Sequence, residues 1–130
     1  MLELDRGASR PPLANPTTQP MRLYAMDAWV RDAAVLTDAV ALSRVLQAAA
    51  DAGGASVVGE EFYASPNGAI TGVLLLAQSH LSVHTWPELA LANVDLLSCG
   101  EIDGNVVLAT IRTGLDVERA TVRCIHRSLG

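Results

Sequence analysis

Ser79, His80, His84 and Cys99 fall within a short stretch, in QSHLSVHTWPE and the VDLLSCG that follows it. A serine near histidines suggests acyl chemistry, but no glycine-flanked nucleophile elbow surrounds Ser79, and a serine and histidine five residues apart are a weak signal. On a helix, His80, His84 and Glu88 at i, i+4 and i+8 would line up as metal ligands. The β-branched residues and Pro87 argue for a strand instead, so no metal is expected. On a strand, Leu81 and Val83 take one face while His80, Ser82 and His84 take the other. From spacing alone, a bland alternative stays open, with hydrogen-bonded strand histidines and Cys99 as core filler.

The elements that must position these residues are legible in outline. Residues 22–30, RLYAMDAWV, read as a first strand. Asp32 then caps a helix on which Leu36, Val40, Leu42, Leu46 and Ala49 form the packed face, with Asp38, Arg44, Gln47 and Asp51 mostly between them. Gly53 and Gly54 end it. ASVVGEEFYA and AITGVLLLA flank SPNG and form a hairpin. SHLSVHTW and LALANVDLLS make a further pair around Pro87, a second helix runs near residues 105–113, and ATVRCIHRS is the last strand. The order β-α-β-β-β-β-α-β predicts an α+β fold, a two-layer α/β sandwich with a mainly antiparallel sheet and both helices on one face. Trp29 is expected in the core. Glu60 and Glu61 read as solvated charges, and Cys124 and His126 as ordinary residues of the last strand.

Composition narrows the function classes. The 130 residues, half of them apolar, suit one domain over residues 21–130. Residues 1–20 hold four of the six prolines and no apolar periodicity, and are expected to be a flexible arm. The net charge of -5 offers no basic field for nucleic acid. The longest apolar run, Ala69 to Ala77, is broken by Thr71 and Gly72 and is too short for a membrane span. With no secretory leader and Cys99 and Cys124 read as free thiols, a cytoplasmic location is expected. The nine basic residues are all arginine. Without lysine, neither a pyridoxal phosphate (PLP) Schiff base nor a P-loop can form, so any amine chemistry needs a carbonyl from another source.

From residue 22 onward, QSHLSVHTWPE followed by VDLLSCGEID resembles the prokaryotic S-adenosylmethionine decarboxylase proenzymes, with serine, histidine and cysteine at the family's spacing. That resemblance implies self-cleavage between Gln78 and Ser79, leaving Ser79 as a pyruvoyl group. Its carbonyl would do the electron-sink work that pyridoxal does elsewhere, with no lysine and no metal. It further implies that His84 assists processing and that Cys99 is the catalytic acid. Trp86 and Glu88 match substrate-binding positions. Thr71 stands where a processing serine is common, and His80 adjoins the cut. Gln78 replaces the usual glutamate, Arg22 replaces a common histidine, and Ser65 falls where an adenine-stacking aromatic is usual, with Phe62 and Tyr63 just upstream, so that either the loop is shifted or adenine is not the ligand. The implied activity is S-adenosylmethionine decarboxylation in polyamine biosynthesis, by a homodimer with pockets shared across its interface. Relatives acting on arginine or ornithine, or a non-processing ligand-binding homologue, are the alternatives.

Overall fold

The computed structural model describes residues 21–128; the expected N-terminal arm lies outside them. The strands are β1 (Met21–Val30), β2 (Val57–Ala64), β3 (Ile70–Leu76), β4 (Ser79–Trp86), β5 (Leu91–Cys99) and β6 (Val117–Arg127). The helices are α1 (Ala39–Ala52) and α2 (Gly104–Gly114). All strands join one antiparallel sheet in the order β2-β3-β4-β5-β1-β6. This is the expected element order and sandwich.

Strict alternation builds the core. Tyr24, Met26, Ala28 and Val30 of β1, Leu81 and Val83 of β4, and Ala92, Val94 and Leu96 of β5 point to the helices and are buried. Leu42, Leu46 and Ala49 of α1 and Val107, Leu108 and Ile111 of α2 close over them. Removing each Val, Leu, Ile or Met side chain among them from water contributes about 1.5–3 kcal/mol. Among the described residues, the opposite sheet face carries no helix.

Three local expectations change. The helix foreseen from Asp32 is two pieces: Asp32 caps only a 3-10 turn, Ala33–Thr37, and the backbone is extended at Asp38 (φ -113°, ψ 97°). Asp38 restarts the chain as α1, its carboxylate accepting from Ala41 N at 3.0 Å. The restart rotates the helix, so Val40 is exposed rather than packed. Trp29 leaves the core because its strand neighbours Ala28 and Val30 take the helix side. It lies on the open face with the Arg119 guanidinium 3.8 Å above its ring, a cation–π contact. Glu60 is bound rather than merely solvated: it accepts from Ser43 (2.7 Å) and Gln47 (2.9 Å) of α1, and these bonds hold its carboxyl below the usual range.

Thr85, a fully buried polar residue, joins three segments. Its Oγ1 accepts from Ile70 N at 2.8 Å and donates to Leu36 O at 2.8 Å, tying β3 and β4 to the 3-10 turn. Replacing Thr85 by valine keeps the shape and leaves both backbone groups unmet. Thr85→Val is expected to lower unfolding stability by about 1–3 kcal/mol in urea titration, and Thr85→Ser by clearly less.

Candidate active site

β3 and β4 are joined by a two-residue turn, Ala77 and Gln78, with Leu76 paired to Ser79. Neither turn residue has positive φ, so the turn is not of the primed types that short hairpins favour. It is held from the side by Ala77 N donating to Ser56 O at 2.9 Å. β5 runs along the other edge of β4 and ends at Cys99, beside the turn.

That end holds an unusual arrangement. The Cys99 thiol donates to the carbonyl oxygen of Gln78 at 3.4 Å, and Gln78 Oε1 lies 3.9 Å from the same sulfur. Ser79 Oγ is buried and has no hydrogen-bond partner among the described residues. A buried orphan hydroxyl costs stability and calls for a reason. Here it adjoins a carbonyl already polarised by a thiol. Burial pushes the Cys99 thiol above its ordinary value, which keeps it protonated and able to donate.

The second group sits at the other end of β4, on the open face. Thr71 Oγ1 lies 2.8 Å from His84 Nδ1, directly across the β3–β4 register. The Trp86 ring meets His84 in a T-shaped contact with centroids 4.6 Å apart. Trp86 Nε1 donates to Asn93 Oδ1 at 2.6 Å, and Asn93 Nδ2 donates to Asp27 Oδ1 at 2.8 Å. Glu88, in the 3-10 turn Pro87–Leu89, is exposed near this end. Tyr63, opposite Thr71 on β2, is also on this face and 63% exposed. Phe62 is turned into the core, its ring lying where a Cβ on Gly72 would be. His80 faces the open side between the two ends, opposite Leu97.

The site residues named from sequence therefore form two half-sites. Gln78, Ser79 and Cys99 stand together, as do Thr71, His84 and Trp86, while Glu88 is exposed in the turn that follows β4. His84 is five residues along β4 from Ser79, about 17 Å at the strand rise, so it does not reach the turn of its own chain. The sequence does not single out Asn93 or Asp27. Their alternation with apolar neighbours gave the face they occupy, but nothing local reveals the cross-strand partner. Among the described residues, no group of three or more His, Cys, Asp or Glu is placed to hold a metal ion, and no helix is long and apolar enough to cross a membrane.

The chain is similar to known proteins of one family. The family model described as S-adenosylmethionine decarboxylase matches residues 22–128. The S-adenosylmethionine decarboxylase proenzyme of Symbiobacterium thermophilum is 40% identical over 97 residues, 73% of each chain. That of Brevibacillus brevis is 36% identical over 113 residues, 84% of this chain and 83% of the relative. The crystal structure of the adenosylmethionine decarboxylase from Aquifex aeolicus superposes with a TM-score of 0.76 at 27% identity, covering 86% of this chain and 93% of that one. Fold and relatives define an α+β carboxy-lyase acting on a small molecule. The chain belongs to the S-adenosylmethionine decarboxylase family.

The partly buried thiol gives a direct test. In a Ser79→Ala/Cys124→Ala chain, which stays uncut and keeps one thiol, iodoacetamide alkylation of Cys99 is expected to be slow at neutral pH. It should accelerate only above the pH range of an ordinary thiol, because the thiolate is the nucleophile and burial delays its formation. Rapid alkylation at pH 7, followed by mass spectrometry, would contradict a protonated Cys99.

Proposed function

We propose that the chain is a self-processing S-adenosylmethionine decarboxylase of polyamine biosynthesis that cuts itself between Gln78 and Ser79, acquires a pyruvoyl group from Ser79, and works as a homodimer in the cytoplasm. The observation that carries this reading is the buried, unpartnered Ser79 Oγ beside a carbonyl gripped by Cys99. In the first step, Ser79 Oγ attacks the Gln78 carbonyl carbon. The Gln78–Ser79 C–N bond breaks, the freed amine takes a proton, and an ester remains. Negative charge builds on the Gln78 oxygen during the attack, where the Cys99 S–H already donates. A base then removes the Ser79 Cα proton and the ester Cβ–O bond breaks, releasing residues 1–78 with a carboxylate end. Water replaces the nitrogen, ammonia leaves, and residues 79–130 begin with the pyruvoyl group.

The residues fit such a group: Cys99 lines its position, and no lysine is needed. When formed, the pyruvoyl group supplies a ketone that captures the substrate's amine and accepts the electron pair left when carbon dioxide departs. Cys99, kept protonated by burial, holds the proton that the substrate carbon must regain. Trp86 and Tyr63 offer aromatic faces for a nucleoside base, and Glu88 offers a carboxylate for ribose hydroxyls or a cationic group.

The separation between Ser79 and His84 favours a shared site. The open face exposes Leu75 (52%), Trp86 (40%) and Ile125 (51%), with partly buried Val73, Leu97 and Leu23 between them, a surface suited to covering by a second copy. A two-fold axis lying between two such faces and across the strands exchanges the ends of β4. The partner's His84 and the partner's Thr71 then stand over the Gln78–Ser79 turn, where an imidazole is suited to moving the proton in the elimination.

Two measurements test this. The denatured mass of the purified protein should show fragments 1–78 and 79–130, the second with a pyruvoyl terminus, and carbon dioxide release should be fastest from S-adenosylmethionine, with arginine and ornithine as comparators. A chain that stays whole overturns the reading. Ser79→Ala should not cut, and His84→Ala should cut about a hundredfold or more slowly. Mixed after subunit exchange, the two should yield fragments of the His84→Ala chain, rescued by the partner's His84. Absence of rescue in confirmed mixed dimers would place the histidine's action within one chain.

A further inference from the structure

His84 is contacted from two directions, and only one of them is explained by the sheet register. Thr71 sits directly opposite on β3 and bonds Nδ1. Trp86 is on the same strand, two residues on and 40% exposed, yet its ring turns back onto His84. What turns it is the bond from Nε1 to Asn93 Oδ1 at 2.6 Å. Asn93 is itself the cross-strand neighbour of His84, and Asp27 is the cross-strand neighbour of Asn93. The three strands β4, β5 and β1 thus carry one row of polar side chains across the open face, ending at Arg123, 4.0 Å from the second oxygen of Asp27.

The chemistry of this row allows one arrangement. An indole N–H only donates, so it requires the amide oxygen; an ionised carboxylate only accepts, so it requires the amide nitrogen. Asn93 meets both demands at once, and each bond fixes the amide for the other. A leucine there meets neither. An aspartate keeps the acceptor for Trp86 but sets its carboxylate against that of Asp27.

We propose that Asn93, backed by Asp27, is a positioning residue that holds the Trp86 ring against His84 and so fixes the direction of the free imidazole nitrogen. The proposal rests on the reading in which His84 assists the cut. Its effect on the reaction passes through Trp86 and His84, not through contact with the scissile bond.

The test is the half-time of self-cleavage of the full chain, followed by denatured mass, in four proteins: wild type, Asn93→Leu, Asn93→Asp, and the Asp27→Asn/Asn93→Asp exchange. Both single variants should slow the cut about tenfold or more, and the exchange, which restores one donor and one acceptor in order, should return it to within about threefold of wild type. Asn93→Leu cutting at the wild-type rate, or an exchange no faster than Asn93→Asp alone, overturns the proposal. A purely structural role would track thermal stability instead and show no rescue. A second readout does not require cleavage: in the Ser79→Ala background, the His84 ring-proton resonances carry the ring-current shift of Trp86, and Asn93→Leu should move them. Unchanged resonances overturn the positioning role. A wild-type chain that never cuts overturns the self-processing reading, while the resonances still decide the role of Asn93.

Discussion

The register of β4 is the constraint on which the rest of the structure depends. This strand lies inside the sheet, laddered to β3 on one side and β5 on the other, with Leu81, Val83 and Thr85 buried beneath the helices. A slip by one residue would drive His80, Ser82 and His84 into the apolar core and turn Leu81 and Val83 outward. The burial of those apolar side chains holds the register against that slip. The same register sets His84 opposite Thr71 and Asn93, and leaves Ser79 as the first residue after the turn. Packing on one face thus fixes chemistry on the other.

The proposed cleavage site in the β3–β4 turn would have a structural benefit. Cutting between Gln78 and Ser79 severs a connection rather than a ladder: β3 still pairs with β2 and β4, and β4 still pairs with β5. The new ends also remain docked, because Ser56 holds the residue before Gln78 and Cys99 adjoins the cut. An antiparallel sheet in which every strand near that turn is held on both sides would let the fold survive the proposed cut.

The two ends of β4 carry different chemical groups. One end presents a carbonyl, a hydroxyl and a protonated thiol; the other presents an imidazole fixed by Thr71 on one side and by an indole, an amide and a carboxylate on the other. An antiparallel strand about 25 Å long cannot bring its own ends together, but two copies packed face to face can. Among the described residues no helix covers that face, which leaves it open to the proposed second copy.

Much was legible before any coordinates. Period-two alternation in SHLSVHTW gave the β4 faces, SPNG gave the hairpin, and the glycine pair gave the end of α1, because each is a short-range signal of backbone geometry. The lysine-free composition excluded a pyridoxal phosphate Schiff base, and the resemblance carried by QSHLSVHTWPE and VDLLSCGEID pointed to the chemistry. The split at Asp38, the outward turn of Trp29 and Val40, and the inward turn of Phe62 were not legible, since each depends on which neighbour wins a place in the core. Nor was the gap between Ser79 and His84, which sequence spacing made look small. Sequence by itself determined the residue types, their alternation and the order of elements, all set by local dihedral and solvation preferences. Only the tertiary structure decided that Cys99 meets the Gln78 carbonyl while His84 meets Thr71, Trp86 and Asn93, because those partners are chosen by strand register and packing between segments far apart in the chain.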